Sequence, residues 1–114
     1  MKEIKAYVRP VKLGTILHEL EVAGARDVTV IRVDAIGVIA DPEQDRRRFV
    51  RAYAERYSAV AKLEIVCRDE KAEPFVRIIQ EHARTGAPGD GRIFVSAIER
   101  TVNIRSGQEG PEAL

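Results

Sequence analysis

The residues best suited to chemistry in this chain lie in Thr85-Gly-Ala-Pro-Gly-Asp-Gly-Arg-Ile-Phe-Val95. Gly86, Pro88, Gly89 and Gly91 crowd one short turn. Asp90 and Arg92 stand among them, just ahead of an apolar segment, Ile93 to Ile98. Glycine allows backbone conformations and close approaches that a Cβ blocks. Successive N–H groups in such a turn form a concavity for an anion. Arg92 adds a permanent charge that can fork to a phosphate. The same composition also suits a plain connection from a helix to a strand. A Walker A loop is excluded, because the Gly-Lys-Ser/Thr ending is missing and a strand follows instead of a helix. Arg105, beside Ser106-Gly107, offers a second anion contact, although a chain end of this kind also fits a frayed tail. Covalent or acid–base catalysis has no comparable support. His18 and His82 fall on helix surfaces by pattern, and no Ser-His or Cys-His pairing is evident by spacing. The chain is therefore expected not to be an enzyme.

Length and charge narrow the partners. At 114 residues the chain reads as one domain over 1–114, large enough for its own core. A net charge of +1 creates no general field towards nucleic acid or anionic lipid. The single cysteine, Cys67, allows no internal disulfide. No apolar run reaches the length of a signal-peptide core or a membrane span, so a cytoplasmic protein is the expectation.

The elements that must position the turn follow from periodicity. Ile4, Ala6 and Val8 alternate with Lys5, Tyr7 and Arg9 up to Pro10, which reads as a half-buried strand. Leu13, Ile16, Leu17 and Leu20 recur at helical spacing, and Gly24 suits a helix end, so a helix is expected over 12–23. Val28 to Val33 reads as a second strand. In 58–67, Ala59, Ala61, Leu63, Ile65 and Cys67 share one strand face, and Ser58, Val60, Lys62, Glu64 and Val66 share the other. Asp69 is placed to cap a second helix, with Pro74 near its first turn and Ala72, Phe75, Val76, Ile79 and Ala83 as its buried stripe. A fourth strand is expected from Arg92 to about Val102, followed by a tail over 103–114.

Between the second and third strands lies a segment of another kind, 38–56. Arg46, Arg47, Arg48, Arg51 and Arg56 stand against Asp41, Glu43, Asp45 and Glu55, leaving about +1 across the stretch. That is too little for a counterion-release footprint on nucleic acid, and a protein surface of mixed charge is the better partner. A long insertion in a small domain is more often functional or disordered than idle. Arg46, Arg47, Arg48, Phe49, Arg51 and Tyr53 are the residues placed to meet that partner. The element order predicts an α+β, ferredoxin-like βαββαβ sandwich: a four-stranded antiparallel sheet with two helices on one face. The other face would carry Val60 and Val66 into an oligomer interface.

With these residues in view, the chain resembles the PII signal-transduction family across nearly its whole length. The match is densest in Thr85 to Val95 and in Asn103-Ile-Arg-Ser-Gly-Gln-Glu-Gly-Pro-Glu-Ala-Leu114, with Lys2 to Leu13 and Lys62-Leu-Glu-Ile-Val66 in agreement. The resemblance implies a homotrimer with three nucleotide clefts between subunits. Adenine would sit near Thr29 and the backbone around Glu64 and Val66. Phosphates would lie on Gly89, Asp90, Gly91 and Arg92, with Arg105 reaching in. Gly37 and Val38 would bring the base of the long loop close, and that loop would correspond to the T-loop by which the family docks on enzymes and transporters.

The departures from the family pattern bear on function. The usual Gly-Arg-Gln at the loop base is Gly37-Val38-Ile39 here. A family lysine expected to contact 2-oxoglutarate falls at Val60, and a family arginine at the phosphates falls at Asn103. Each lost charge-assisted hydrogen bond costs roughly 1.5–3 kcal/mol. ADP or AMP is therefore expected to bind at least as well as ATP, without the usual Mg-ATP-dependent uptake of 2-oxoglutarate. The Tyr-Arg-Gly-x-Glu-Tyr modification segment is absent; Tyr53 and Tyr57 stand in Arg-Ala-Tyr-Ala-Glu-Arg-Tyr. A metal-binding trimer of the related CutA type is the alternative. Its only soft or imidazole candidates are Cys67, His18, His82 and Met1, without ligand spacing.

Overall fold

The computed structural model describes residues 1–36 and 58–114. Gly37, Val38 and the long insertion, with Arg46, Arg47, Arg48, Phe49, Arg51 and Tyr53, lie outside the described residues. The elements are β1 (Lys2–Val8), a 3-10 turn (Pro10–Lys12), α1 (Leu13–Val22), β2 (Thr29–Ala35), β3 (Ser58–Cys67), α2 (Asp69–Ala83), β4 (Gly91–Ala97) and a last 3-10 turn (Pro111–Ala113). The strands form one sheet in the order β2-β3-β1-β4, and every neighbouring pair is antiparallel. This is the expected ferredoxin-like arrangement.

Alternation decides which face is covered. Ile4, Ala6 and Val8 of β1 pair with Ile65, Leu63 and Ala61 of β3, and all six are essentially sealed from water. Ile16 and Leu20 of α1 and Phe75 and Ile79 of α2 close over them in one core. Both helices therefore sit on the same face. Each of these large side chains contributes about 1.5–3 kcal/mol through burial. Cys67 belongs to this core, and burial pushes its thiol pKa up, as expected of a small buried apolar residue. The other face carries Tyr7, Lys62, Glu64 and Phe94, as the register requires. Tyr7 and Phe94 meet edge to face at 6.1 Å between centroids.

The end of α1 shows how locally its sequence is written. Gly24 adopts φ +94°, its N–H donates to the carbonyl of Glu21, and the Ala25 N–H reaches back to the carbonyl of Leu20. This is a Schellman closure, which a glycine at that position permits.

Several expectations are corrected. β4 ends at Ala97 instead of Val102, where its pairing with β1, its partner among the described residues, stops. Lys2 pairs with Ala97 and the Ile98 N–H donates to the carbonyl of Met1. Asp69 does not cap α2; Arg68 occupies the cap position without a side-chain bond, and Asp69 is the first helical residue. Its carboxylate instead meets the terminal ammonium of Met1 at 2.8 Å. Pro74 lies inside α2, deeper than its first turn, where its missing N–H leaves the Glu70 carbonyl without its usual helical donor. The buried stripe around Phe75 and Ile79 holds that turn in place. Val60 lies on the open face by register, as expected, but is only 6% exposed. It sits on an inner strand and is paired with Val33 of β2, whereas Val66 lies past the end of β2 and is 36% exposed.

Candidate functional site

The turn between α2 and β4 is organised around one carboxylate. Asp90 accepts from the Thr85 N–H at 2.8 Å, the Gly86 N–H at 3.0 Å and the Thr85 hydroxyl. It also accepts from Nε of Arg9 at 3.3 Å, while Nη2 of Arg9 donates to the Pro88 carbonyl at 2.8 Å. These donors, led by the Thr85 hydroxyl, hold the Asp90 carboxyl well below the usual carboxylate range. Arg9 follows β1 directly, so the turn is fastened to the sheet across 81 residues of sequence. The resemblance implies Asp90 among the residues at the phosphates; in the structure its side chain shapes the loop. Arg9 and Thr85 are the site residues that spacing missed. Thr85 lies within the same turn as Asp90, but nothing local points to Arg9.

Gly91 sets the junction with β4. Its φ is +111°, and a Cβ there would lie 1.7 Å from the carbonyl oxygen of Tyr7. No other residue fits without moving β1 or β4. Gly86 and Gly89 also have positive φ, near +90°. The glycine-rich turn is thus folded back on the end of β1, with Arg92 the next residue, paired with Tyr7 in the sheet.

Asp90, Gly91 and Arg92 line a cavity of about 410 Å³, together with Gln80, Arg84 and apolar residues of α2, β1 and β4. Thr29, Glu64 and Val66 line another, of about 570 Å³, on the far side of the protomer with Gly24, Asp27 and Phe75. Thr29 pairs with Glu64 in the ladder, so those two are neighbours as the resemblance implied. Glu64 also meets Nζ of Lys62 at 2.7 Å; the pairing lowers the Glu64 pKa and raises that of Lys62. Within one chain, however, the adenine residues and the phosphate residues are not brought together. Thr29 is on the β2 edge of the sheet and Arg92 on the β4 edge. Three ladder spacings separate those edges, about 14 Å.

The tail is a third group, and it is not frayed. The Asn103 N–H donates to the Gln108 carbonyl at 2.8 Å, the Gly107 N–H donates to the Asn103 carbonyl at 2.8 Å, and Oδ1 of Asn103 accepts from the Ser106 N–H at 3.0 Å. Val102 bridges to Glu109. Asn103 therefore braces a turn that presents Ile104 and Arg105 at its exposed tip. Composition underrated this segment, because its order comes from backbone bonds and not from apolar burial. Among the described residues no group of three or more His, Cys, Asp or Glu side chains converges, so the geometry lends no support to the metal-binding alternative. No helix among the described residues is long and apolar enough to cross a membrane.

Comparison with known proteins agrees with this geometry. Residues 1–108 match the protein family described as Nitrogen regulatory protein P-II. The chain is 38% identical over 114 residues to "Nitrogen regulatory protein P-II 2" of Methanothermobacter thermautotrophicus, covering all of this chain and 97% of that one. It is 37% identical to "Nitrogen regulatory protein P-II" of Pyropia yezoensis, with both chains fully covered. A solved B. subtilis GlnK–ATP complex superposes with a TM-score of 0.79 at 29% identity, covering 99% of this chain and 94% of the other.

Proposed function

The chain belongs to the nitrogen regulatory protein P-II family, and from that premise we propose that it is an adenine-nucleotide sensor that regulates a partner protein through its long loop. The observation that carries this reading is the turn at 85–92. Its shape is set by internal bonds to Asp90, which leaves the glycine backbone and Arg92 to meet an anion. The relative solved with ATP supports adenine nucleotide as the ligand class. The separation of Thr29 and Glu64 from Gly91 and Arg92 across the sheet supports clefts completed by a second copy, in a homotrimer.

In this reading the phosphates rest on Gly89, Gly91 and Arg92, with Arg105 approaching from the tail. Adenine lies against Thr29, Glu64 and Val66. Gly37 and Val38 link the ligand to the loop, and differential affinity for two loop states shifts their populations. Arg46, Arg47, Arg48, Phe49, Arg51 and Tyr53 then read out adenylate status to a transporter or a metabolic enzyme in the cytoplasm. The protein acts by binding and not by turnover. Val38, Val60 and Asn103 replace polar or cationic family residues, so ADP or AMP binds at least as well as ATP.

Titration calorimetry with AMP, ADP and Mg-ATP, with and without 2-oxoglutarate, tests this. Binding of ADP or AMP no weaker than ATP, without cooperative 2-oxoglutarate uptake, is expected. No binding of any of the three would defeat nucleotide sensing, and a monomer by light scattering would defeat the shared cleft.

A further inference from the structure

We propose that Arg9 is a positioning residue: by bonding both the Pro88 carbonyl and the Asp90 carboxylate, it aims the Gly89 N–H out of the turn before a ligand arrives. The inference rests on the nucleotide reading above. It extends that reading to a residue that acts through the turn and not by touching the ligand.

Hydrogen bonds inside the turn leave few donors for an anion. The N–H groups of Thr85 and Gly86 are used on Asp90, and that of Ala87 on the Thr85 hydroxyl. The Gly89 N–H has no protein acceptor among the described residues. Its direction is tied to the Pro88 carbonyl, with which it shares one peptide. That peptide is trans, so its carbonyl and its N–H point to opposite sides. Nη2 of Arg9 donates to the carbonyl at 2.8 Å, which turns the N–H away from Arg9. Nε of Arg9 donates to Asp90 at 3.3 Å, so one guanidinium grips the chain on both sides of Gly89. A peptide beside glycine is the one most free to reorient, and Gly89 sits at φ +94°. Holding it in the free protein lowers the cost of ordering it on a ligand.

Arg9 is itself held. Its backbone is extended, φ −65° and ψ 132°, as favoured before a proline, and its carbonyl accepts from the Lys12 N–H at 3.0 Å. Its planar fork meets two acceptors at once, which a lysine ammonium on a flexible stem does not.

The plain alternative is a partly exposed ion pair that adds a little stability and nothing to binding. The experiment separates the two roles. Calorimetry with ADP is run on the intact chain, on Arg9→Met and on Arg9→Lys, at a temperature below the melting of all three. Amide NMR spectra of the free proteins accompany it. Arg9→Met is expected to weaken ADP by about tenfold, the effect of one charge-assisted hydrogen bond. Its Gly89 amide resonance should move without ligand, while those of β1 and β3 stay in place. Arg9→Lys recovers only part of the ADP loss. Unchanged ADP affinity in Arg9→Met, an unmoved Gly89 resonance, or resonances displaced throughout the sheet would overturn the assignment. An intact chain that does not bind ADP overturns the underlying functional reading, and this one with it.

Discussion

Two polar, glycine-bearing turns flank β4, and they are held in opposite ways. The turn at 85–91 is tied to distant structure: Arg9 bonds its backbone and its acid, and Gly91 packs directly on the Tyr7 carbonyl. The turn at 101–110 is tied mainly to itself, through Asn103, Ser106, Gly107 and Gln108 and the Gly110 N–H on Thr101. A Cβ at Gly107 or Gly110 would meet nothing within 4 Å. The first turn shares the rigidity of the sheet and can hold a fixed cradle. The second has a defined shape but few ties to the domain, which suits an arm that brings Ile104 and Arg105 to a neighbouring surface.

The sharpest way to break this contrast is Gly91→Ala. The new Cβ meets backbone and the φ is wrong for an L residue, so a loss of about 3 kcal/mol or more in urea unfolding is expected. A mild effect would mean that the turn is not seated on β1. Next in size is Asp90→Asn: with its oxygen kept on the N–H groups of Thr85 and Gly86, its amide group would confront Nε of Arg9. A clear drop in melting temperature is expected, together with weaker ADP binding by calorimetry. A melt shift without any change in affinity would separate the turn from the ligand.

Acid probes the same carboxylate. Its folded pKa is depressed, so its contribution is complete above the unfolded value, about pH 4, and is lost as pH falls below that towards the folded pKa. Stability measured from pH 6 downwards should fall in that window, and less so in Asp90→Asn. The smallest effect belongs to Gly107→Ala, about 1 kcal/mol for a side chain at φ +71° in open space. Amide exchange in 85–91 should not change. If it does, the two turns are coupled and the contrast fails.

How much of this was legible in the sequence depends on where each residue's partner lies. The bounds of β3 were readable to the residue because its alternation is its own. The end of β4 was not, since it falls where pairing with β1 stops. The glycines of 85–91 announced a turn, but the direction of the Asp90 side chain depends on Arg9, a residue on another strand's end. That Val60 is sealed despite its place on the open face was likewise not legible in its own strand. The neighbouring places of Thr29 and Glu64 came from resemblance, and the ladder register agrees with them. Local chemistry was visible; long-range direction needed coordinates.

The strand order β2-β3-β1-β4 sets Thr29 and Arg92 on opposite margins of a single sheet. Under the proposed assembly each copy lends one half of a cleft to the neighbour on its left and the other half to the neighbour on its right. Two chains crippled in different halves would then rescue each other when co-assembled, since some seams would unite two healthy margins. A chain crippled in both halves would poison both seams it enters.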